Sequence, residues 1–94
     1  MTLYQLEYIV ALDNHRHFVK AAESCHVSQP NLTTQIKKLE DEIGVRIFDR
    51  DSKPVKPTLA GEQILLKARQ ILREVADLNE FVLDEKESLE GTFT

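Results

Sequence analysis

Residues 27–39 read Val-Ser-Gln-Pro-Asn-Leu-Thr-Thr-Gln-Ile-Lys-Lys-Leu, and this stretch decides the fold. Ser28 is suited to cap the free N–H groups of a helix, and Pro30 suits a first turn, where its missing N–H costs nothing. The apolar residues recur at helical spacing and share one face: Leu32, Ile36, Leu39 and Ile43. The stretch therefore predicts an amphipathic helix that is anchored to a core.

The opposite face of this helix carries hydrogen-bonding and cationic side chains: Gln29, Thr33, Thr34, Lys37 and Lys38. Side chains of these types read base edges and hold phosphates in the major groove of DNA. Spacing alone is equally compatible with an ordinary solvated helix face.

Two shorter helices are predicted upstream of this stretch. The first covers residues 3–13, with a buried stripe through Leu3, Leu6 and Val10, and turn-forming residues follow it at 13–15. The second covers residues 18–25, where apolar residues share one face: Phe18, Ala21, Ala22 and Cys25. Two helices joined by a tight connection, the second with a polar exposed face, are typical of a helix-turn-helix.

A small two-stranded wing is predicted after Gly44, which is a natural helix stop. Val45, Ile47 and Phe48 suit a short strand, and Val55 is the apolar residue of the returning strand. Basic residues surround the bend: Arg50, Lys53 and Lys56. The predicted fold is mainly α, a winged helix-turn-helix.

A long last helix is predicted over residues 59–89. Its heptad seam is predicted to form a homodimer interface, because an apolar stripe this long exceeds what one small domain can cover. The interface residues are Ile64, Leu65, Ala68, Ile71, Leu72, Val75, Leu78 and Val82. The expected organisation is a DNA-binding domain at 1–58, a dimerisation helix at 59–89, and the start of a linker to an absent effector domain at 90–94.

Composition narrows the possible classes of function. The 94 residues carry a net charge of −4, but residues 1–58 hold eight basic and eight acidic residues, so the acidity lies in residues 59–94. No stretch approaches a membrane span or a signal peptide, which predicts a cytoplasmic protein. We expect no enzyme activity and no cofactor, since neither a phosphate-binding loop nor a nucleophile–base signature occurs.

Cys25 is the only cysteine, which excludes an internal disulfide and a self-contained two-thiol switch. Its neighbour His26, with His15 and His17 upstream, raises the possibility of a metal site. The spacing does not support one, so Cys25 is interpreted as a small core residue and the histidines as structural groups near a turn.

The chain resembles the amino-terminal DNA-binding domain of LysR-type transcriptional regulators over nearly its whole length. The resemblance is carried by Phe18-x-x-Ala21-Ala22, Val27-Ser28-Gln29-Pro30-x-Leu32-x-x-Gln35-Ile36-x-x-Leu39-Glu40-x-x-x-Gly44-x-x-x-Phe48-x-Arg50 and Thr58-x-Ala60-Gly61. Segments 6–12, 15–18, 24–30 and 38–42 are similar to those of the peroxide-responsive activators in this family.

The resemblance implies promoter binding at interrupted inverted repeats, antiparallel pairing of the long helices, and a tetramer in the full-length regulator. It implies that Ser28 meets a phosphate, Gln29 a base edge and Pro30 a thymine methyl group. Phosphate or groove contacts are implied for Gln35, Lys37, Lys38, Arg50 and Lys53. The residues at three further contact positions, Asn31, Thr33 and Thr34, differ from those common in the family, most of all Thr34.

The sequence thus predicts a dimeric, sequence-specific DNA-binding domain. Two alternatives stay open at this point. One is a self-contained small winged-helix repressor, and the other is a helical adaptor that binds proteins instead of DNA.

Overall fold

The computed structural model describes residues 1–92, with side-chain exposure for residues 1–87. Four helices and two short strands follow one another along the chain. They are α1 (Leu3–His15), α2 (Phe18–Ser24), α3 (Gln29–Ile43), β1 (Phe48–Asp49), β2 (Lys56–Pro57) and α4 (Leu59–Thr92). The predicted fold class, a mainly α winged helix-turn-helix with a two-stranded wing, is confirmed.

Helix α1 begins with a capping box in which Thr2 and Gln5 bond each other's backbone N–H groups. It continues to His15, through residues 13–15 where a turn is predicted, and ends where Arg16 adopts a left-handed conformation at φ 54°. The predicted buried stripe is wrong at Leu3, which is 46% exposed. Leu6 is buried as predicted, and Val10 is half-buried. Because α1 packs against α2, α3 and α4, its buried face is wider than the predicted stripe and is formed by Gln5, Leu6, Tyr8, Ile9, Ala11 and Leu12.

Helix α2 packs closely on its neighbours through Ala21 and Ala22, which are 0% and 2% exposed. It ends one residue earlier than predicted, because Cys25 forms its carboxyl-terminal cap and His26 turns left-handed at φ 58°. The Val27 N–H donates to the carbonyl oxygen of Ala22 at 3.1 Å. The two small alanines and the compact turn at residues 25–27 thus let α3 pack closely on α2.

The wing is shorter than predicted. β1 and β2 pair antiparallel in the register Phe48 opposite Pro57 and Asp49 opposite Lys56. Val45 and Ile47 precede the first strand, for which they are predicted, and Val55 precedes the returning strand. Ile47 and Phe48 are fully buried, because they pack into the core from the base of the wing.

Helix α4 starts against the base of the wing. The Thr58 N–H donates to Ile47 O at 2.9 Å, and the Thr58 hydroxyl accepts from the Gly61 N–H at 2.9 Å. A Cβ atom on Gly61 would lie 2.0 Å from Ile47 O, so this close approach requires glycine.

The far end of α4 leaves the body of the domain. Its 34 residues span about 50 Å at 1.5 Å per residue, and the molecule measures 59 × 24 × 20 Å. The helix includes residues 90–92, which had been predicted as the start of a linker; residues 93 and 94 of that linker lie outside the described residues. No helix in the described part of the chain is long and apolar enough to cross a membrane.

Candidate nucleic-acid interface

The amino-terminal end of α3 forms an exposed polar surface. Ser28 caps the helix as predicted: its Oγ accepts the Asn31 N–H at 3.2 Å, and its carbonyl oxygen accepts the Leu32 N–H at 3.0 Å. Gln29, Pro30 and Asn31 follow on the exposed first turn. A capped helix start of this kind presents side chains and backbone N–H groups outward.

Helix α3 separates its core face from its polar face as predicted. Leu32, Ile36 and Leu39 are 0% exposed, and Ile43 packs partly buried against the same core. The polar face exposes Thr34, Lys37 and Lys38 on the next turns. A rigid, anchored helix with one accessible polar face can enter a groove.

Thr33 and Gln35 differ from the other predicted contact residues because both are half-buried. The Thr33 Oγ1 is enclosed and has no hydrogen-bond partner among the side chains described, those of residues 1–87, so it must rotate before it can reach a base. The Gln35 Oε1 accepts a hydrogen bond from Gln5 Nε2 at 3.3 Å, which links α3 to α1. Gln5 is missed by apolar periodicity, although the Thr2-x-x-Gln5 spacing is a capping-box signature.

The wing places Lys53 and Lys56 on its exposed surface, with the Asp51 N–H donating to Asp49 Oδ1 at 3.0 Å in the bend. Lys53 also lines a groove between the wing and the turn before α2, together with Arg16 and His17. His17 caps α2, since its Nδ1 accepts the Lys20 N–H at 3.3 Å. The structural role predicted for His17 therefore holds.

A second groove of about 490 Å³ runs between the carboxyl-terminal half of α3 and the base of the wing. Lys37, Arg46 and Arg50 line it. Arg46, an exposed cation, carries no signal in the sequence that distinguishes it from other surface arginines. The structure thus adds one cation to the predicted surface.

Arg50 is half-buried in an ion pair. Its Nη2 lies 2.8 Å from Oε1 of Glu40, which is itself only 7% exposed. The burial of Glu40 was missed, although its position four residues after Ile36 puts it on the core face of α3. Part of the Arg50 guanidinium is therefore already engaged within the chain.

The structure divides the predicted dimer interface into two sets. Leu65 and Ala68 are 3% and 1% exposed because they pack into the chain's own core, so their side chains are not available to a partner. Ile64 and Leu72 pack partly on that core, and Val75 is half-buried. The remaining predicted residues are exposed: Ile71, Leu78 and Val82.

The residues considered for metal binding are not gathered into a site. Cys25 packs against the core, but it is half-buried where a core residue is predicted. Among residues 1–87, whose side chains the structure describes, no three His, Cys, Asp or Glu side chains are grouped so that they could hold a metal ion.

Comparison with known proteins matches this geometry to one family. A family model for bacterial regulatory helix-turn-helix proteins of the lysR family matches residues 3–62. OxyR from Escherichia coli strain K12, a DNA-binding transcriptional dual regulator, is 50% identical over 91 residues, or 97% of this chain and 30% of that protein.

Solved structures match the fold. Full-length OxyR from Pseudomonas aeruginosa superposes with a TM-score of 0.84 at 48% identity, covering 87% of this chain and 28% of that chain. The BenM DNA-binding domain in complex with benA site 1 DNA also has a TM-score of 0.84, at 35% identity, covering 87% of this chain and 92% of that chain.

The family model covers the helix-turn-helix and the wing and ends in the first turn of α4, whereas the E. coli relative aligns with 97% of the chain. The chain corresponds to about 30% of the length of its E. coli relative, and to nearly all of the BenM DNA-binding domain. The relatives are transcriptional regulators. This chain belongs to the lysR family of bacterial regulatory helix-turn-helix proteins.

Proposed function

We propose that this chain binds promoter DNA sequence-specifically, as a homodimer on interrupted inverted repeats, within an OxyR-like regulator that responds to hydrogen peroxide. The observation that carries the proposal is the exposed first turn of α3 beside a basic wing, in a fold that superposes on a DNA-binding domain in complex with DNA. The anionic backbone attracts the cations of this surface, and the bases are read by its polar groups.

The proposed contact surface keeps the predicted residues and ranks them by accessibility. Base contacts are proposed for the first turn of α3 and the two threonines that follow: Gln29, Pro30, Asn31, Thr33 and Thr34. Backbone contacts are proposed for Ser28, Gln35, Lys37, Lys38, Arg50 and Lys53. Among these, Gln35 and Arg50 have partners in the chain and Thr33 must rotate, so the freely exposed residues carry most of the proposed readout.

Dimerisation through α4 is supported by the exposure of its outer apolar residues. Leu78 is 60% exposed, Phe81 61% and Val82 48%, on a helix that extends beyond the body. Charge favours antiparallel pairing of two such helices. The proximal part, residues 59–75, holds three cations and two acids, although one of the cations, Arg69, is paired with Asp13. The distal part, residues 76–87, holds five acids and one lysine: Asp77, Glu80, Asp84, Glu85, Glu87 and Lys86. Antiparallel pairing sets these opposite charges against each other.

Peroxide sensing is proposed for the regulator as a whole and not for these 94 residues. The support is the similarity to hydrogen peroxide-inducible activators, of whose length this chain covers about 30%. The single cysteine, Cys25, has no second thiol in this chain with which to form a disulfide. We propose a tetramer for the full-length protein and, since it acts on promoter DNA, a cytoplasmic location.

Selection of bound sequences from random DNA tests this function. The expected product is an inverted repeat that binds the wild-type chain in a salt-dependent manner. A control selection uses Gln29→Ala, which should return the same repeat with one position relaxed. Recovery of no consensus, together with equal affinity for all duplexes, would contradict sequence-specific binding and favour the adaptor alternative.

A further inference from the structure

Glu40 is a buried acid that joins three parts of the DNA-facing structure. It lies on α3 and is 7% exposed. Its Oε2 accepts the N–H groups of Ile47 at 2.8 Å and Phe48 at 3.3 Å, where the chain enters the wing. Its Oε1 lies 2.8 Å from Nη2 of Arg50, which follows β1 directly. One carboxylate therefore ties α3 to both the backbone and a cation of the wing.

These contacts offset the cost of burying Glu40. An isolated buried carboxylate is strongly unfavourable, and a partner cation with two backbone donors offsets that cost. The same contacts restrict Arg50, whose side chain is 21% exposed. Its Nε and Nη2 atoms are enclosed, with Nη2 held at ion-pair distance from Glu40 and no hydrogen-bond partner for either atom in the described part of the chain. Arg50 also lines both the groove beside α3 and the groove beside the wing.

We propose that Glu40 is a positioning residue for DNA binding. It holds the wing at a set angle to α3 and turns the exposed part of the Arg50 guanidinium toward a backbone phosphate, while the first turn of α3 contacts bases. Arginine suits this bridge because its planar fork donates in several directions at once. The inference rests on the proposed function, since it concerns how the same surface engages DNA.

The proposal predicts that neutralising Glu40 changes the affinity for DNA in the direction opposite to the one that simple electrostatics predicts. An acidic residue near a DNA-binding surface repels phosphates, so neutralising it should raise affinity. If Glu40 positions Arg50, Glu40→Gln should instead lower affinity. Asp41 provides the matched control, because it is the next residue, is exposed and lines the same groove. Asp41→Asn should leave affinity unchanged or raise it.

The experiment measures binding to the inverted-repeat duplex recovered with the wild-type chain, from about 50 to 200 mM salt. The variants are Glu40→Gln, Arg50→Gln, the double variant and Asp41→Asn. We expect about tenfold weaker binding for Glu40→Gln. We also expect the salt slope, the slope of log K against log salt concentration, to be shallower by about 0.9, the value for one lost phosphate contact. Arg50→Gln should show the same slope, and the double variant should lose no further slope.

A folding defect in Glu40→Gln would also weaken DNA binding. Arg50→Lys tests the bridge without such a defect, because it leaves the buried Glu40 carboxylate a cationic partner. A lysine that pairs with Glu40 has no second edge for a phosphate, so its slope should match that of Arg50→Gln. Thermal melts confirm that each variant is folded at the binding temperature.

Several outcomes overturn the positioning role. They are a rise in affinity for Glu40→Gln, a loss of affinity with the wild-type slope retained, or a wild-type slope for Arg50→Lys. Each of these is measured against a wild-type chain that binds DNA. A wild-type chain that does not bind would contradict the proposed function itself.

Discussion

Gln29 has an exposed side chain on a backbone that the core holds in place. It is the first residue of α3, directly after the Ser28 cap, and it is exposed. Three fully buried residues further along the helix, Leu32, Ile36 and Leu39, hold that helix on the core. The side chain is therefore free to bond a base while its backbone cannot move away.

Replacing Gln29 with alanine should weaken binding to the preferred duplex by about 1–3 kcal/mol and relax preference at one base pair, because a base-edge contact is lost. Competition binding against duplexes altered at each position measures both effects. Lys38→Ala is the comparison, since a phosphate contact should weaken binding to all sequences alike. Equal loss for Gln29→Ala on preferred and unrelated DNA would rule out base reading.

Gly61 and Gly44 allow a matched stability test. Helix propensity alone would make Gly61→Ala stabilising by about 1 kcal/mol. The close approach of Ile47 O makes Gly61→Ala destabilising instead. We expect the free energy of unfolding to fall by about 1–3 kcal/mol, because the added Cβ pushes the wing base and α4 apart. Gly44 has φ 71° and open space, so Gly44→Ala should cost about 1–2 kcal/mol through backbone strain alone.

Urea unfolding of the two glycine variants separates these causes. Gly61→Ala should also weaken DNA binding, because the wing moves, whereas Gly44→Ala should affect stability only. A stabilised Gly61→Ala variant would show that the approach of α4 to Ile47 is looser than described.

At the scale of elements, α4 has two apolar faces in different surroundings. One face, which includes Leu65 and Ala68, is buried in the domain core. The other, which includes Ile71 and Leu78, is exposed. Heptad spacing merges these faces, because adjacent stripes of one helix satisfy the same three- and four-residue steps. Packing against α1 separates them.

Leu78→Asp should give monomers, since it places a charge in the exposed seam without touching the domain core. Sedimentation velocity measures the change, and circular dichroism should show an intact fold. Leu66→Asp is the control: Leu66 is 55% exposed but lies outside the predicted seam, so this variant should stay dimeric. A dimer that persists in Leu78→Asp would place the interface elsewhere.

At the scale of the whole molecule, the proposed pairing of two α4 helices would fix the distance between the two DNA-facing helices of a dimer. The chain is elongated, at 59 Å by 24 Å by 20 Å, so we expect the two DNA-facing surfaces of that dimer to lie apart. Half-sites on one face of the duplex should therefore be separated by about one helical turn, or a multiple of it.

Inserting about five base pairs between the half-sites rotates them to opposite faces of the duplex. We expect affinity to fall to that of a single half-site, as measured by electrophoretic mobility shift at constant salt. The same base pairs added outside the repeat should have no effect. Unchanged affinity for the internal insertion would show that the two domains bind independently of each other.

The sequence by itself determined the helices, the cap at Ser28, the two faces of α3 and the presence of a basic wing. These follow from local rules: apolar periodicity, capping residues, and glycine or proline at breaks. The family resemblance added the expected DNA contacts. The end of α1 was misplaced because His15 stays helical and the break falls at Arg16.

Only the tertiary structure decided which partner each ambiguous residue has. It buries Glu40 against the wing, pairs Gln35 with Gln5, and packs Leu65 into the chain's own core. Local sequence rules cannot determine these outcomes, because burial and ion pairing depend on segments that are distant along the chain and meet only on folding.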